Sequence, residues 1–143
     1  MSRVRSRARS WALQVLYAWE MRDSGEPLPA FLARFISERQ VAPAAVDYIT
    51  TLVDAVGAHL AEIDATLQGA LHNWRLERLS AIDRNVLRLG AAELLHLPDV
   101  PPRVAIQEAI LLAEKFGTTQ SPRFVNGVLD ALMRGMPAAG EAP

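Results

Sequence analysis

The chain has 143 residues, of which 50% are hydrophobic and 22% are charged, and its formal net charge is −1. This length suits one domain, and the composition excludes a disordered or collagen-like chain. Cysteine is absent, which excludes disulfides, thiolate nucleophiles and iron–sulfur clusters. Because no uninterrupted apolar run is long enough to cross a bilayer, we expect no signal peptide and no membrane partner, and we predict a cytoplasmic protein.

The periodicity of the apolar residues predicts an all-α protein. Apolar residues recur at intervals of three and four, and no segment alternates as a half-buried strand does. The first helix is predicted over residues 4–22, and a short second helix follows with Pro29 in its first turn. The third is predicted as one long helix over residues 43–71, with bends at Gly57 and Gly69.

A capping serine, Ser80, begins the predicted fourth helix, which covers about residues 80–97. The proline-rich segment 98–102 separates this helix from the next, because each proline removes a backbone donor. We therefore predict a single domain over residues 1–143, built from two packed three-helix-bundle-like halves at about 1–71 and 72–135. Trp74, in the connection between the halves, suggests that this connection is packed.

Turn-forming residues bound the last two predicted helices. The fifth covers about residues 103–116 and ends at Gly117, for which we predict a left-handed conformation. Ser121 is predicted as the N-cap of the sixth helix, which covers about residues 122–134. The segment 136–143 is predicted to be a frayed tail.

The inventory of catalytic and metal-binding residues is small. The three histidines, His59, His72 and His96, fall in different segments, and no two have the spacing at which imidazoles on one helix share a metal ion. No zinc-protease, serine-hydrolase or P-loop string occurs. We therefore predict no metal site, no cofactor and no enzymatic activity, with each histidine in a surface or boundary position.

Four arginines and no acid occur in the first 19 residues, namely Arg3, Arg5, Arg7 and Arg9. On a helix these arginines flank the stripe that faces the core. Guanidinium groups without a nearby acid repel one another, and the phosphates of a polyanion relieve that repulsion. The cluster therefore suggests a nucleic-acid contact, and a frayed basic terminus is the alternative.

A second candidate contact lies in the first turn of the last predicted helix. Unpaired bases stack on aromatic rings, and Phe124 is the best candidate there, with Arg123 beside it. A phenylalanine at the boundary of the core is the alternative interpretation. We expect the N-terminal arginines and Phe124 to lie close together and to hold one unpaired RNA strand between them.

Two acids interrupt the apolar face of the fourth predicted helix. Glu93 is interpreted as a structural acceptor of hydrogen bonds from a neighbouring helix start, or else as the lining of a partner groove. For Asp83, next to Arg84, a helix cap and a partner contact remain equal alternatives.

Three strings of the chain resemble the bacterial NusB antitermination factors. They are RSRARSWALQVLY at residues 5–17, NWRLERLSAIDRNVLRL at residues 73–89, and a third set made of VAIQEA at 104–109, KFG at 115–117, Ser121 and FVNGVLD at 124–130. The third set is the most specific, and together the strings extend over nearly the whole chain.

The resemblance implies a non-enzymatic factor in transcription antitermination. It implies binding of the single-stranded boxA element of ribosomal RNA operon transcripts together with the ribosomal protein NusE, within the transcription elongation complex. By the same resemblance, the RNA contacts are Arg3, Arg5, Arg7, Arg9 and Phe124. We add Arg123 to these contacts because it is next to Phe124 in the chain. The NusE contacts that the resemblance implies are Tyr17, Asp83, Arg84 and Arg88. A protein-only helical module that binds no RNA is the alternative, and the pattern leaves a homodimer open.

Overall fold

The computed structural model describes residues 2–136, and residues 137–143 of the predicted tail lie outside this range. Residues 2–136 contain helices and no strand, which confirms the predicted all-α class. A short 3₁₀ turn, Leu76–Arg78, lies between the fourth and fifth of the seven α-helices described. These are α1 (Arg3–Arg22), α2 (Leu28–Ser37), α3 (Pro43–Ala58), α4 (Leu60–Ala70), α5 (Ala81–His96), α6 (Pro102–Phe116) and α7 (Ser121–Arg134).

Local capping explains where several helices begin and end. The hydroxyl of Ser80 accepts a hydrogen bond from the backbone N–H of Asp83 at 3.1 Å, so Ser80 is the N-cap of α5 as predicted. Ser2 caps α1 in the same way. At the other end of α1, Asp23 adopts a left-handed conformation with φ 46°, which stops the helix.

The predicted long third helix is in fact two helices, α3 and α4, which meet at His59. His59 leaves the helical conformation with φ −124° and ψ 24°, while Gly57 remains helical. Beyond the break, α4 packs mainly against α5 and α7 and only slightly against α3. The packing therefore groups α4 with the C-terminal helices α5 and α7.

Gly117 and Ser121 differ from their predicted roles at the α6–α7 turn. Gly117 has φ −95°, so it is not left-handed. A glycine is needed there because a Cβ atom would lie 2.5 Å from the hydroxyl of Ser121 and 2.8 Å from the carbonyl oxygen of Ala113. Ser121 is the first residue of α7 instead of its cap, and its hydroxyl accepts a hydrogen bond from the backbone N–H of Thr118 at 3.0 Å.

Helix α5 is the central element of the fold. It packs against α1, α3, α4, α6 and α7, and most of its residues from Asn85 to Leu94 are buried. Helices α1 and α5 are antiparallel, because residues near the start of α1 contact the end of α5 and Glu20 contacts its start. Within residues 2–136, no helix has the length and apolar character needed to cross a membrane.

Candidate nucleic-acid interface

Three of the four N-terminal arginines reach solvent. Arg3 and Arg7 are exposed on α1 and form no ion pair within residues 2–136. Arg5 donates a hydrogen bond to Asp99 at 3.0 Å, and its guanidinium carbon lies 4.4 Å from the centroid of the Tyr48 ring. Because solvent-exposed ion pairs contribute little free energy, a phosphate can compete with Asp99 for Arg5.

Arg9 does not reach solvent, which contradicts its prediction as an RNA contact. Its side chain is 4% exposed. Nε donates to both carboxylate oxygens of Glu93, at 2.9 and 3.1 Å, and Nη1 donates to Glu108 at 2.9 Å. The expected absence of nearby acid is also wrong, because α5 and α6 supply these carboxylates. A guanidinium buried and paired in this way has a structural role.

Glu93 lies at the centre of this buried group, which we call the Arg9 cluster and which also contains Ser6, Tyr48 and Glu108. The hydroxyl of Tyr48 donates to Glu93, and the hydroxyl of Ser6 donates to Glu108. Burial raises the pKa of Glu93, although the charge of Arg9 opposes the increase. Glu93 is thus a structural acceptor as interpreted, but its donors are Arg9 and Tyr48 instead of the N–H groups at a helix start.

Phe124 lies in the first turn of α7 and is half-buried against the core. Its ring meets the ring of Trp74 edge to face, with centroids 6.4 Å apart and planes at 74°. Trp74 is 60% exposed, although the sequence suggested that it packs in the connection before α5. The two rings, called here the aromatic pair, therefore present an aromatic surface to solvent.

A cleft of about 240 Å³ lies beside the aromatic pair, and Arg78 and Asp83 contribute to its walls. Oδ1 of Asp83 is buried and has no hydrogen-bond partner among the described residues. On another side of the pair, the exposed Arg123 lines a second depression. Aromatic faces, two cations and an unpaired acceptor are groups that bind the base and phosphate of an unpaired nucleotide.

The N-terminal arginines and Phe124 do not form the single cradle that the sequence suggested. Arg9 meets Glu93 near the end of α5, whereas Phe124 shares its cleft with Asp83 at the start of α5. Ten residues of helix, from 83 to 93, separate the two points, which corresponds to about 15 Å. The candidate interface therefore has two separate parts, one at each end of α5.

The residues expected to contact a partner protein lie along the junction of α1 and α5, and they are Tyr17, Asp83, Arg84 and Arg88. Arg84 donates to the two carboxylate oxygens of Glu20 at 2.6 and 2.9 Å. Arg88 donates to Glu20 at 3.0 Å and to both oxygens of Asp64 at 2.9 Å. The Arg84 and Arg88 side chains are only 11% and 12% exposed. We call Glu20, Asp64, Arg84 and Arg88 the Glu20 clamp, because these residues join α1, α4 and α5.

The arginines of the Glu20 clamp favour the ionised form of the Glu20 carboxyl group. Partial burial opposes ionisation of Glu20, but the hydrogen bonds and charges of Arg84 and Arg88 outweigh it and hold the pKa of Glu20 below its ordinary value. Beside the clamp, Tyr17 is 39% exposed and Met21, one turn later, is 53% exposed. These two side chains leave apolar surface available on α1, whereas both arginines are already engaged within the chain.

Comparison with known proteins establishes the family. The model of the NusB family matches residues 6–134. This chain belongs to the NusB family. It is 47% identical to the transcription antitermination protein NusB of Nocardioides sp., over 94% of this chain and 97% of that protein. It is 44% identical to the same protein of Myxococcus xanthus, over 89% of this chain and 92% of the relative.

Solved NusB structures have the same fold. The NusB of T. maritima is similar with a TM-score of 0.82 and 36% identity, and 94% of each chain is covered. A second structure, of the antitermination factors NusB and NusE in complex with dsRNA, is similar with a TM-score of 0.83 and 33% identity. The similarity covers 95% of this chain and 100% of that NusB-fold chain.

Sequence reasoning missed two residues of the candidate interface in this NusB-family chain, Trp74 and Arg78. The sequence favoured packing for Trp74 because tryptophan is highly buried on average. The signal that favoured exposure was its setting, since Trp74 lies outside the predicted helices and between the polar residues Asn73 and Arg75. Arg78 gave no comparable signal, because only the fold brings the 3₁₀ turn beside α7.

Proposed function

We propose that this NusB-family protein acts in transcription antitermination, as an adaptor that binds RNA and a NusE-type ribosomal protein. The observation that carries the proposal is the likeness, over 95% of the chain, to a NusB solved with NusE and RNA. The proposed RNA is the single-stranded boxA element of ribosomal RNA operon transcripts, bound within the cytoplasmic transcription elongation complex. The proposed role is one of binding and involves no catalysis.

Two parts of the surface support RNA binding. At the end of α5, Arg3 and Arg7 offer guanidinium groups that form no ion pair with the described part of the chain. Arg5 offers a guanidinium group held by a weak exposed ion pair. At the start of α5, the aromatic pair offers stacking surface, and base–aromatic stacking contributes about 1–3 kcal/mol per base. Arg123 adds a cation beside these rings. Arg9 is excluded from the proposed contacts because it is buried.

The distance between the two parts sets the length of RNA that can contact both. Arg9 lies about 15 Å from the cleft along α5, and the exposed arginines, two to six residues before Arg9 on the antiparallel α1, lie about 3–9 Å farther away. At about 3.4 Å per nucleotide of a stacked strand, about five to seven nucleotides cover that distance. An unpaired strand can follow the surface between the parts and still turn a base toward the aromatic pair, which a base-paired strand cannot do without breaking pairs.

The proposed NusE contact is the exposed surface of α1 beside the Glu20 clamp. Tyr17 and Met21 supply apolar area there, and tyrosine and methionine are enriched in protein interfaces. Arg84 and Arg88 act in this proposal by holding α1 and α5 in place. Asp83 lies at the edge of the cleft beside the aromatic pair. Protein and RNA contacts would thus adjoin at the start of α5.

The experiment that tests the proposal is a titration of labelled RNA followed by fluorescence anisotropy at several salt concentrations. Single-stranded boxA-like RNA, a base-scrambled strand and a duplex are compared, each with and without NusE. We expect tightest binding of the unpaired boxA-like strand in the presence of NusE. The double variant Arg3→Ala/Arg7→Ala should flatten the plot of log affinity against log salt by about 0.7 for each phosphate that the protein no longer neutralises.

The matched control is Arg134→Ala, which removes an exposed arginine at the far end of α7 from Phe124. This variant should keep the parent slope. An unchanged slope in the Arg3/Arg7 double variant would contradict the arginine assignment. Equal weak binding of all three RNAs, with and without NusE, would favour the alternative of a protein-only helical module.

A further inference from the structure

A group of three potential metal ligands lies outside the RNA and partner surfaces. His59 is the residue at which α3 ends and α4 begins, Glu62 is in the first turn of α4, and His96 is the last residue of α5. One ligand atom from each residue lies within 4.8 Å of the other two. The fold thus brings together two histidines that are far apart in the sequence, whereas the sequence analysis predicted no metal site.

The two imidazole rings are in direct contact. The rings of His59 and His96 stack with centroids 3.7 Å apart and an interplanar angle of 8°. Glu62 follows His59 by three residues, a spacing that puts both side chains on one face of a helix turn. A carboxylate and two imidazoles are therefore presented to the same small volume from two helices.

One nitrogen of this group forms no hydrogen bond with residues 2–136. Nε2 of His96 is buried and has no hydrogen-bond partner among the described residues. An oxygen of Glu62 lies 2.9 Å from it but not in a direction that makes a hydrogen bond. A buried polar atom normally has a partner, so this nitrogen beside a carboxylate is available as a ligand for a bound cation.

We propose that His59, Glu62 and His96 form a binding site for a late first-row divalent cation of the zinc class. Two imidazole nitrogens and one carboxylate oxygen are a common ligand set for zinc, and a water molecule would complete a tetrahedral site. The same set disfavours Mg²⁺ and Ca²⁺, which prefer all-oxygen coordination. A bound ion would tie the α3–α4 junction to the end of α5.

The geometry requires a local rearrangement of the three side chains. Ligand atoms about 2.1 Å from an ion in a tetrahedral site are about 3.4 Å apart, so a present separation of up to 4.8 Å must close by about 1.4 Å. Stacked rings have parallel nitrogen lone pairs, so one ring must also rotate. Glu62 is 57% exposed and can move to meet the ion.

The test uses tag-free protein, zinc ions alone and two readouts, calorimetric titration and thermal unfolding with and without a chelator. We expect one zinc ion per chain, a Tm raised by several degrees at saturating zinc, and no effect of Mg²⁺. His59→Gln and His96→Gln should each weaken zinc binding by at least about tenfold. Glu62→Gln should weaken it as well, and this exposed change leaves the core intact.

The matched control is His72→Gln, which removes the exposed histidine that lies outside the group and should leave zinc binding unchanged. Circular dichroism of each variant without zinc checks that the fold is kept. Absence of a zinc-dependent change in the parent protein would overturn the proposal. Binding that survives in all three ligand variants, or that is abolished in His72→Gln, would also overturn it.

Discussion

Arg9 of α1 binds Glu93 of α5 inside the protein through its Nε–H, which donates to both carboxylate oxygens, and both side chains are less than 5% exposed. Glu108 of α6 takes a third hydrogen bond from the same guanidinium. One arginine of the basic N-terminal segment thus joins three helices, while its neighbour Arg7, two residues earlier, reaches solvent.

Replacing Arg9 should therefore affect the fold and not the salt dependence of RNA binding. We expect Arg9→Ala to lower the free energy of unfolding by about 3–5 kcal/mol, because two buried carboxylates lose their cation. Arg7→Ala should change it by less than about 0.5 kcal/mol. Urea unfolding at neutral pH measures both values. Equal stability of the two variants would contradict the structural role of Arg9.

Glu93, which binds Arg9, and Glu20, which binds Arg84 and Arg88, should give the stability of the protein opposite pH dependences. Folding raises the pKa of Glu93 above its value of about 4.5 in the unfolded chain. Protonated Glu93 therefore stabilises the folded state at pH below about 4.5, and this stabilisation is lost as the pH rises through the pKa of the folded state. The folded state lowers the pKa of Glu20, so its contribution is present above about 4.5 and is lost as pH falls through the folded pKa.

Urea unfolding of the parent protein, Glu93→Gln and Glu20→Gln at about pH 4 and about pH 7 tests this contrast. Raising the pH should improve the stability of Glu93→Gln relative to the parent and worsen that of Glu20→Gln relative to the parent. The two variants serve as controls for each other. Shifts of the same sign would contradict the assigned pKa directions.

The aromatic pair should contribute to RNA affinity without adding to its salt dependence. We expect Phe124→Ala and Trp74→Ala each to weaken binding of boxA-like RNA by about 1–3 kcal/mol, because a stacking surface is removed while every phosphate keeps its cation. Leu111→Ala, which removes an exposed apolar side chain of α6, is the control and should bind RNA as the parent does. A flattened salt slope in Trp74→Ala would show that stacking is not its role.

Tyr17→Ala should weaken binding of NusE and leave stability nearly unchanged, because the ring is 39% exposed. Surface changes of this kind usually alter the free energy of unfolding by less than about 0.5 kcal/mol. Calorimetric titration of NusE into the variant measures the affinity, and Leu111→Ala is again the control. Parent affinity for NusE in Tyr17→Ala would remove this side of α1 from the proposed contact.

Gly117→Ala should destabilise the α6–α7 turn. The added Cβ would collide with the hydroxyl of Ser121 and with the backbone of Ala113, and we expect a loss of about 1–3 kcal/mol. Gly127→Ala is the control: this helical glycine of α7 has open space around it, so the change should stabilise the protein by about 0.5–1 kcal/mol. Thermal unfolding compares the two, and a stabilised Gly117→Ala would refute the close approach.

Helix boundaries were predictable where a single residue, such as a capping serine or a proline, starts or stops a helix. Ser80 and the prolines before α6 mark helix boundaries through their own backbone chemistry, and the structure confirms both. The break at His59 was not predictable in this way. No glycine or proline occupies the break itself, and the change of direction is explained by the packing of α4 against α5 and α7.

The candidate site was only partly predictable for a related reason. Arg7 and Arg9 look alike in a basic segment, and what separates them is the approach of Glu93 and Glu108, which are 84 and 99 residues away from Arg9 in the chain. Helical spacing determines which residues share a face, but it does not reveal which acids other helices bring to that face. The same limit applies to His59 and His96.

Helix α1 is fastened to α5 at both ends, by the Arg9 cluster at one and by the Glu20 clamp at the other. Because the two helices are joined at two points, neither can shift or rotate relative to the other without breaking charged hydrogen bonds. For the RNA proposed above, this rigid scaffold sets a minimum spacing. A transcript with too few nucleotides between the stretch that meets the guanidinium groups and the base that meets the rings could not contact both parts at once, whereas extra nucleotides could loop out.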